Sequence, residues 1–82
     1  MSEEKFPHAV SVPVLLEGFP RDLDGAWIYH EFDNYAIGGQ VTFKEDYSCL
    51  EGSWVFSVDK EFLDSLEYLV VEWDEKIRDS VI

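Results

Sequence analysis

Hydrophobic and polar residues alternate through the first part of the chain, which predicts β-strands. In residues 8–17, Val10, Val12, Val14 and Leu16 occupy every second position, the period of a strand with one buried face. Pro13 lies within this run and cannot donate a ladder hydrogen bond, so we expect an edge strand. The glycine- and proline-containing residues 18–25 predict a turn-rich connection.

Three further segments alternate in the same way, at residues 26–32, 35–43 and 49–58. Asp33 and Asn34 predict a tight turn between the first two. Gly38 and Gly39 predict a bulge or a close backbone approach, and Gly52 predicts a second bulge. The last two segments each place a set of residues on one face, which are Tyr35, Ile37, Gly39, Val41 and Phe43, and then Leu50, Trp54, Phe56 and Val58.

The last segment, residues 59–80, matches an amphipathic helix. Asp59 is a suitable N-cap because its carboxylate can accept from the free amides of a first helical turn. Projected at helical spacing, the apolar residues fall within an arc of roughly 120°, while Tyr68 and Val71 fall on the charged side. We therefore predict an α+β fold, with a three- or four-stranded antiparallel sheet packed against one C-terminal helix. Residues 1–82 form a single domain in this interpretation, with a frayed N-terminus at residues 1–7.

Charge is the most informative feature for function. Eighteen Asp and Glu residues stand against six Lys and Arg residues, which gives a formal net charge of −12 over 82 residues. Such a chain lacks the basic surface of a direct nucleic-acid binder and would be repelled by an anionic membrane. One cysteine, Cys49, allows no internal disulfide, and with no signal peptide visible we expect a cytoplasmic protein.

The acidic residues concentrate in the predicted helix and in the predicted loops. At helical spacing the carboxylates are about as dense as the phosphates of one DNA strand, at about one per 3.4 Å. We therefore expect a small inhibitor, of the kind phages and mobile elements encode, that mimics DNA charge. Its partner would be a basic nucleic-acid-binding host protein such as a nuclease or a restriction, CRISPR or repair enzyme. The candidate partner-binding residues are Glu61, Asp64, Glu67, Glu72, Glu75 and Asp79 in the helix, and Asp22, Asp24, Asp33, Glu45 and Asp46 in the loops.

Two other binding functions fit the same composition. An immunity or antitoxin protein that neutralises a basic toxin needs the same acidic face. An adaptor or assembly module, or a homodimer, would instead use apolar residues on the second face of the sheet, where we expect Trp27, Tyr29, Leu15 and Val55. A solvated acidic surface, as in adaptation to high salt, needs no partner at all.

Enzymatic and cofactor chemistry has little support in the sequence. The two histidines and one cysteine form no zinc motif, and there is no phosphate-binding glycine loop. Cys49, His30 and Asp33 could supply a nucleophile, a base and an orienting acid, but no signature surrounds them. We therefore expect no enzyme activity, no metal and no cofactor.

Overall fold

The computed structural model describes residues 5–82, and its main feature is one curled six-stranded sheet. The first three strands are β1 (His8–Val10), β2 (Val14–Glu17) and β3 (Trp27–Glu31). They are followed by β4 (Tyr35–Phe43), β5 (Ser48–Ser57) and β6 (Leu69–Glu72). Two short helices, α1 (Lys60–Asp64) and α2 (Glu75–Arg78), flank β6. No helix within residues 5–82 has the length and apolarity that crossing a membrane requires.

The sheet is mixed, and its strand order is β3-β4-β5-β2-β6. β1 also pairs with β5, on the same side as β2 but further along the strand. All pairs are antiparallel except β2 with β6, which is parallel. The last residues return to the free edge of β3, where the Ile82 amide donates to the Trp27 carbonyl at 2.8 Å. Six strands, one parallel pair and two short helices show that the predicted antiparallel sheet with one long helix is wrong.

The predicted helix over residues 59–80 is replaced by α1, a turn, β6 and α2. Asp59 does cap α1, since its carboxylate accepts from the amides of Glu61 and Phe62. A second cap, Asp74, accepts from the Ile77 amide and starts α2 independently. Between them the amide of Leu69 donates to the carbonyl of Pro13, just before β2, and the amide of Trp73 donates to the carbonyl of Glu17 at the end of β2. In this parallel pairing the backbone amides and carbonyls of residues 69–73 bond to the β2 segment, so they cannot form the hydrogen bonds of a continuous helix.

Pro13 interrupts the first predicted strand instead of placing all of it at an edge. β1 and β2 follow one another along β5, and residues 11–13 separate them. Two serines bridge the gap: the Ser53 hydroxyl donates to the Val12 carbonyl at 2.7 Å, and Ser11 donates to the Ser53 carbonyl. β2 is an internal strand between β5 and β6, so the edge prediction fails for that half.

A bulge in β5 changes which of its side chains are buried. The register with β4 shifts between Gly38 and Gln40, opposite residues 51–54, and Gly52 adopts a φ of 66°, which favours glycine. A Cβ on Gly39 would lie 3.1 Å from the Ser53 Cα, so the predicted close approach is confirmed there. Beyond the bulge Val55 is buried and Trp54 is exposed, the reverse of the predicted faces.

The core lies inside the curl of the sheet and draws on nearly every element. α1 contributes Leu63, β6 contributes Val71 and α2 contributes Ile77, all at most 4% exposed. Val71 is therefore a core residue and not a contact on a charged helical face. The sheet strands and the segment after β2 supply the other large buried residues, which are Val14, Leu16, Phe19, Ile28, Ile37, Val41, Leu50 and Val55.

Candidate partner-binding surface

The acidic side chains within residues 5–82 are all exposed, and few are neutralised. These residues hold sixteen of the eighteen acids and all six Lys and Arg residues. Three carboxylates, Glu31, Glu51 and Asp64, lie within 4 Å of a lysine. The other thirteen acids have no Lys, Arg or His partner at that distance among the described residues. Their negative charge is therefore available to a partner molecule.

The structure does not keep the predicted helical acids on one stripe. Glu61 and Asp64 lie on α1, and Glu67 lies in the turn that follows it. Glu72 ends β6, Glu75 opens α2 and Asp79 caps its C-terminus. The helical spacing that suggested one carboxylate row comparable to a DNA strand is therefore absent.

Acids from distant parts of the sequence meet at one end of the sheet. Glu17 at the end of β2 is the register partner of Glu72 at the end of β6. Asp24 accepts a hydrogen bond from the Phe43 amide at 3.4 Å, which places the segment before β3 beside the end of β4. The β4–β5 connection leaves from the same end. We call this group the acidic turn end, and its members are Glu17, Asp22, Asp24, Glu45, Asp46 and Glu72.

The remaining candidate, Asp33, lies at the opposite end of the sheet. It occupies the tight β3–β4 turn, which the Phe32 amide closes by donating to the Tyr35 carbonyl at 2.6 Å. A groove of about 420 Å³ separates this turn from the start of α2, with Asp33 on one side and Asp74 and Lys76 on the other. The candidate acids thus fall into separate groups, of which the acidic turn end is the largest.

An aromatic surface adjoins the acidic turn end. Trp27, Tyr29 and Trp54 are 55%, 41% and 49% exposed. Tyr29 and Trp54 face the same residue of β4, Gly38, from the two neighbouring strands, and the Tyr29 ring lies 6.4 Å from that of half-buried Phe56. We call Trp27, Tyr29, Trp54 and Phe56 the aromatic face.

This result confirms the exposure predicted for Trp27 and Tyr29 but changes the other members. Val55 is buried, and Leu15 lies elsewhere on the outer surface, in register with Val70 of β6. The exposure of Trp54 was missed because the prediction kept the same alternation of faces on both sides of the bulge in β5. Gly52 was the signal that could have corrected it, since an extra residue in a strand exchanges the two faces.

Two carboxylates border the aromatic face. Glu31 lies beyond Tyr29 on β3, and Glu51 lies on β5 opposite Gln40. The Tyr29 hydroxyl donates to Glu31 at 3.4 Å. Desolvation raises the pKa of Tyr29, and the negative charge and hydrogen bond of Glu31 raise it further. Lys5 lies 3.0 Å from Glu31, so this part of the predicted frayed N-terminus contacts the sheet; residues 1–4 of that prediction lie outside the described residues.

The three residues that could have formed a nucleophilic site do not come together. His30 pairs with Ile37 of β4 and Cys49 pairs with Thr42, so five positions of β4 separate them. The His30 Nδ1 atom instead shares a 2.7 Å hydrogen bond with the Ser80 hydroxyl. Among residues 5–82, no group of three or more His, Cys, Asp or Glu side chains could hold a metal ion.

Comparison with protein-family models, with curated proteins and with solved structures found no match to this chain.

Proposed function

We propose that this protein is a small inhibitor that occupies the basic nucleic-acid-binding site of another protein, with its carboxylates in place of phosphates. The observation that carries the proposal is the set of thirteen exposed carboxylates that have no basic partner within residues 5–82. A surface of this kind attracts a basic protein over long range and accelerates association.

The density of charge matches that of a nucleic acid even without a long helix. The molecule measures 33 Å along its longest axis and carries a net charge of −12. One DNA strand of that length carries about ten phosphates, at about one per 3.4 Å. A groove built for a nucleic-acid strand would therefore meet a similar total charge over a similar distance.

Within this proposal the acidic turn end makes the main contact. Its six carboxylates come from four segments that the fold brings together, and two of them, Glu17 and Glu72, sit side by side on neighbouring strands. Like charges held side by side oppose folding, so a basic partner that neutralises them gains this energy on binding. Asp64 is already paired with Lys60 at 3.1 Å, which leaves α1 with less free charge.

The test is capture of host proteins on the immobilised protein, with elution by a salt gradient and competition by added DNA. We expect a nucleic-acid-binding protein that elutes at moderate salt and is displaced by DNA. A captured nuclease toxin would assign the immunity or antitoxin form of the same mechanism. Capture of only salt-resistant partners that DNA does not displace would refute charge mimicry.

Two triple variants with equal net charge locate the contact. Asp22→Lys, Asp46→Lys and Glu72→Lys change the acidic turn end, while Asp64→Lys, Glu75→Lys and Asp79→Lys change α1 and α2. Both sets replace exposed side chains and reduce the net charge equally. We expect the first set to weaken partner binding at least tenfold more than the second. Equal loss would show that only total charge matters.

A further inference from the structure

The aromatic face has the composition of a binding surface for arginine side chains. Indole and phenol rings attract a cation placed over their faces, and arginine makes this contact more often than lysine. Trp27, Tyr29 and Trp54 present three such rings at the surface. The neighbouring carboxylates Glu31 and Glu51 can accept from the edge of a guanidinium group whose plane lies on a ring.

The sheet arranges these rings around a strand with small side chains. Ala36, Gly38 and Gln40 of β4 face the same side as the rings, between Tyr29 and Trp27 on β3 and Trp54 and Phe56 on β5. A Cβ on Gly38 would meet the edge of the Tyr29 ring at 3.3 Å, so glycine lets this ring lie against the sheet. The Gln40 side chain donates to the Gly25 carbonyl at 3.1 Å, which connects the aromatic face to the acidic turn end.

Charge argues against a second copy of this chain as the occupant. Two copies would bring net charges of −12 together across a face whose border residues are both acidic. The two border carboxylates contact Lys5 and Lys44 in exposed ion pairs, at 3.0 and 3.8 Å. Exposed pairs of this kind contribute little to stability, so an incoming arginine can replace either lysine.

We propose that the aromatic face binds arginine side chains of the partner's basic site, and that this contact makes the protein prefer arginine-rich over lysine-rich sites. The inference rests on the proposed function, because the acidic turn end supplies the long-range attraction that brings a basic site to this face. It adds a short-range selectivity that charge alone cannot give.

Two peptides of equal length and charge, one alternating Arg and Gly and the other alternating Lys and Gly, provide the probe. We expect the arginine peptide to bind more tightly than the lysine peptide, and loss of one ring to weaken its binding by about two- to five-fold, the worth of a cation–π contact at an exposed site. The indole NMR signals of Trp27 and Trp54 should shift on binding. Trp73 packs against Phe19 at 4.9 Å next to Glu72 of the acidic turn end, so its signal reports binding at that end and not at the aromatic face.

Substitutions separate the aromatic contact from the charge. Trp27→Ala with Trp54→Ala removes two of the three exposed rings and should reduce the preference for the arginine peptide to what Tyr29 alone provides. Tyr68→Ala changes a ring that is 56% exposed in the segment before β6, at the opposite edge of the strand order from β3; it is the matched control and should keep the preference. An unchanged Trp73 signal in the double variant shows that the fold is retained.

The results distinguish this inference from the proposed function. Equal binding of the two peptides, or no shift at Trp27 and Trp54, would overturn the arginine contact even if a DNA-competed partner is captured. An arginine preference without any DNA-competed partner would instead overturn the proposed function. Concentration-dependent dimerisation that Trp54→Ala abolishes would assign the face to a second copy and reject the arginine contact.

Discussion

The close packing at the β5 bulge makes Gly39→Ala a sensitive test of the fold. A methyl group there would lie 3.1 Å from both the Leu50 Cβ and the Ser53 Cα, and 3.4 Å from the Glu51 carbonyl oxygen. Two of these atoms belong to the backbone and cannot rotate away. Overpacking of this kind costs about 1–3 kcal/mol, and the lower chain entropy of unfolded alanine returns roughly 0.4–1 kcal/mol.

We therefore expect Gly39→Ala to lower the free energy of unfolding by roughly 1–2 kcal/mol. In a domain of this size each 1 kcal/mol shifts Tm by about 4–8 °C, so thermal unfolding followed by circular dichroism resolves the effect. The matched control is Gly38→Ala, whose methyl group would meet the edge of the Tyr29 ring at 3.3 Å. An exposed ring can move, so we expect a change in stability of less than about 1 kcal/mol.

The two neighbouring glycines form a matched pair that isolates the effect of the bulge. Both lie in β4 and neither has a positive φ, so the intrinsic effect of alanine on the strand is similar at each. A larger loss for Gly38→Ala, or equal losses for both, would refute the bulge geometry and with it the exposure of Trp54.

Three further changes test other parts of the structure. Glu67→Pro should cost less than about 1 kcal/mol relative to Glu67→Ala in urea unfolding, because position 67 lies in a turn; a loss of about 3 kcal/mol or more would restore the predicted helix. Burial raises the pKa of Tyr35, and burial with Glu31 raises that of Tyr29, so the folded state holds these protons longer than the unfolded state. The stability that these two raised pKa values contribute is fully present below the unfolded tyrosine pKa of 10.0 and is lost as pH rises through the raised values. The urea concentration at the unfolding midpoint should therefore decrease from pH 9 to pH 11, and an unchanged midpoint would contradict this. Trp27→Ala should leave Tm within a few degrees, because surface substitutions usually change stability by less than about 0.5 kcal/mol, and a larger fall would show that this ring supports the fold.

Local sequence signals predicted the local structure well. The alternation over residues 35–43 corresponds to β4, the Asx pair to the β3–β4 turn, and Asp59 to the cap of α1. Each of these features depends on residues close together in the chain. The bulge was also visible as Gly52, although its effect on the faces of β5 was not followed through.

The C-terminal segment could not be assigned from local pattern alone. Leu69, Val71 and Trp73 alternate as a strand, yet Leu69 and Trp73 also fall within the apolar arc of a helical projection, with only Val71 outside it. The deciding contact is the parallel pairing of β6 with β2, which joins residues more than fifty positions apart. Asp74 was a second N-cap signal, and it indicated that any helix there begins again after Trp73.

The exposure of the predicted binding residues could be foreseen from the sequence, but their grouping could not. The total charge and its exposure follow from composition, because charged side chains are rarely buried without a partner. Their grouping depends on topology: Glu17 and Glu72 become neighbours only because β2 and β6 pair. The aromatic face likewise could not be predicted without the register of β4 with β3 and β5.

The most direct test of charge mimicry is a competition between this protein and DNA for the purified partner. A fluorescent oligonucleotide bound to the partner is titrated with the protein at several salt concentrations, and its anisotropy is recorded. We predict complete displacement of the oligonucleotide, with an affinity of the protein for the partner that falls steeply as salt rises. A stable ternary complex, or binding that salt does not weaken, would contradict the proposal that the carboxylates replace phosphates.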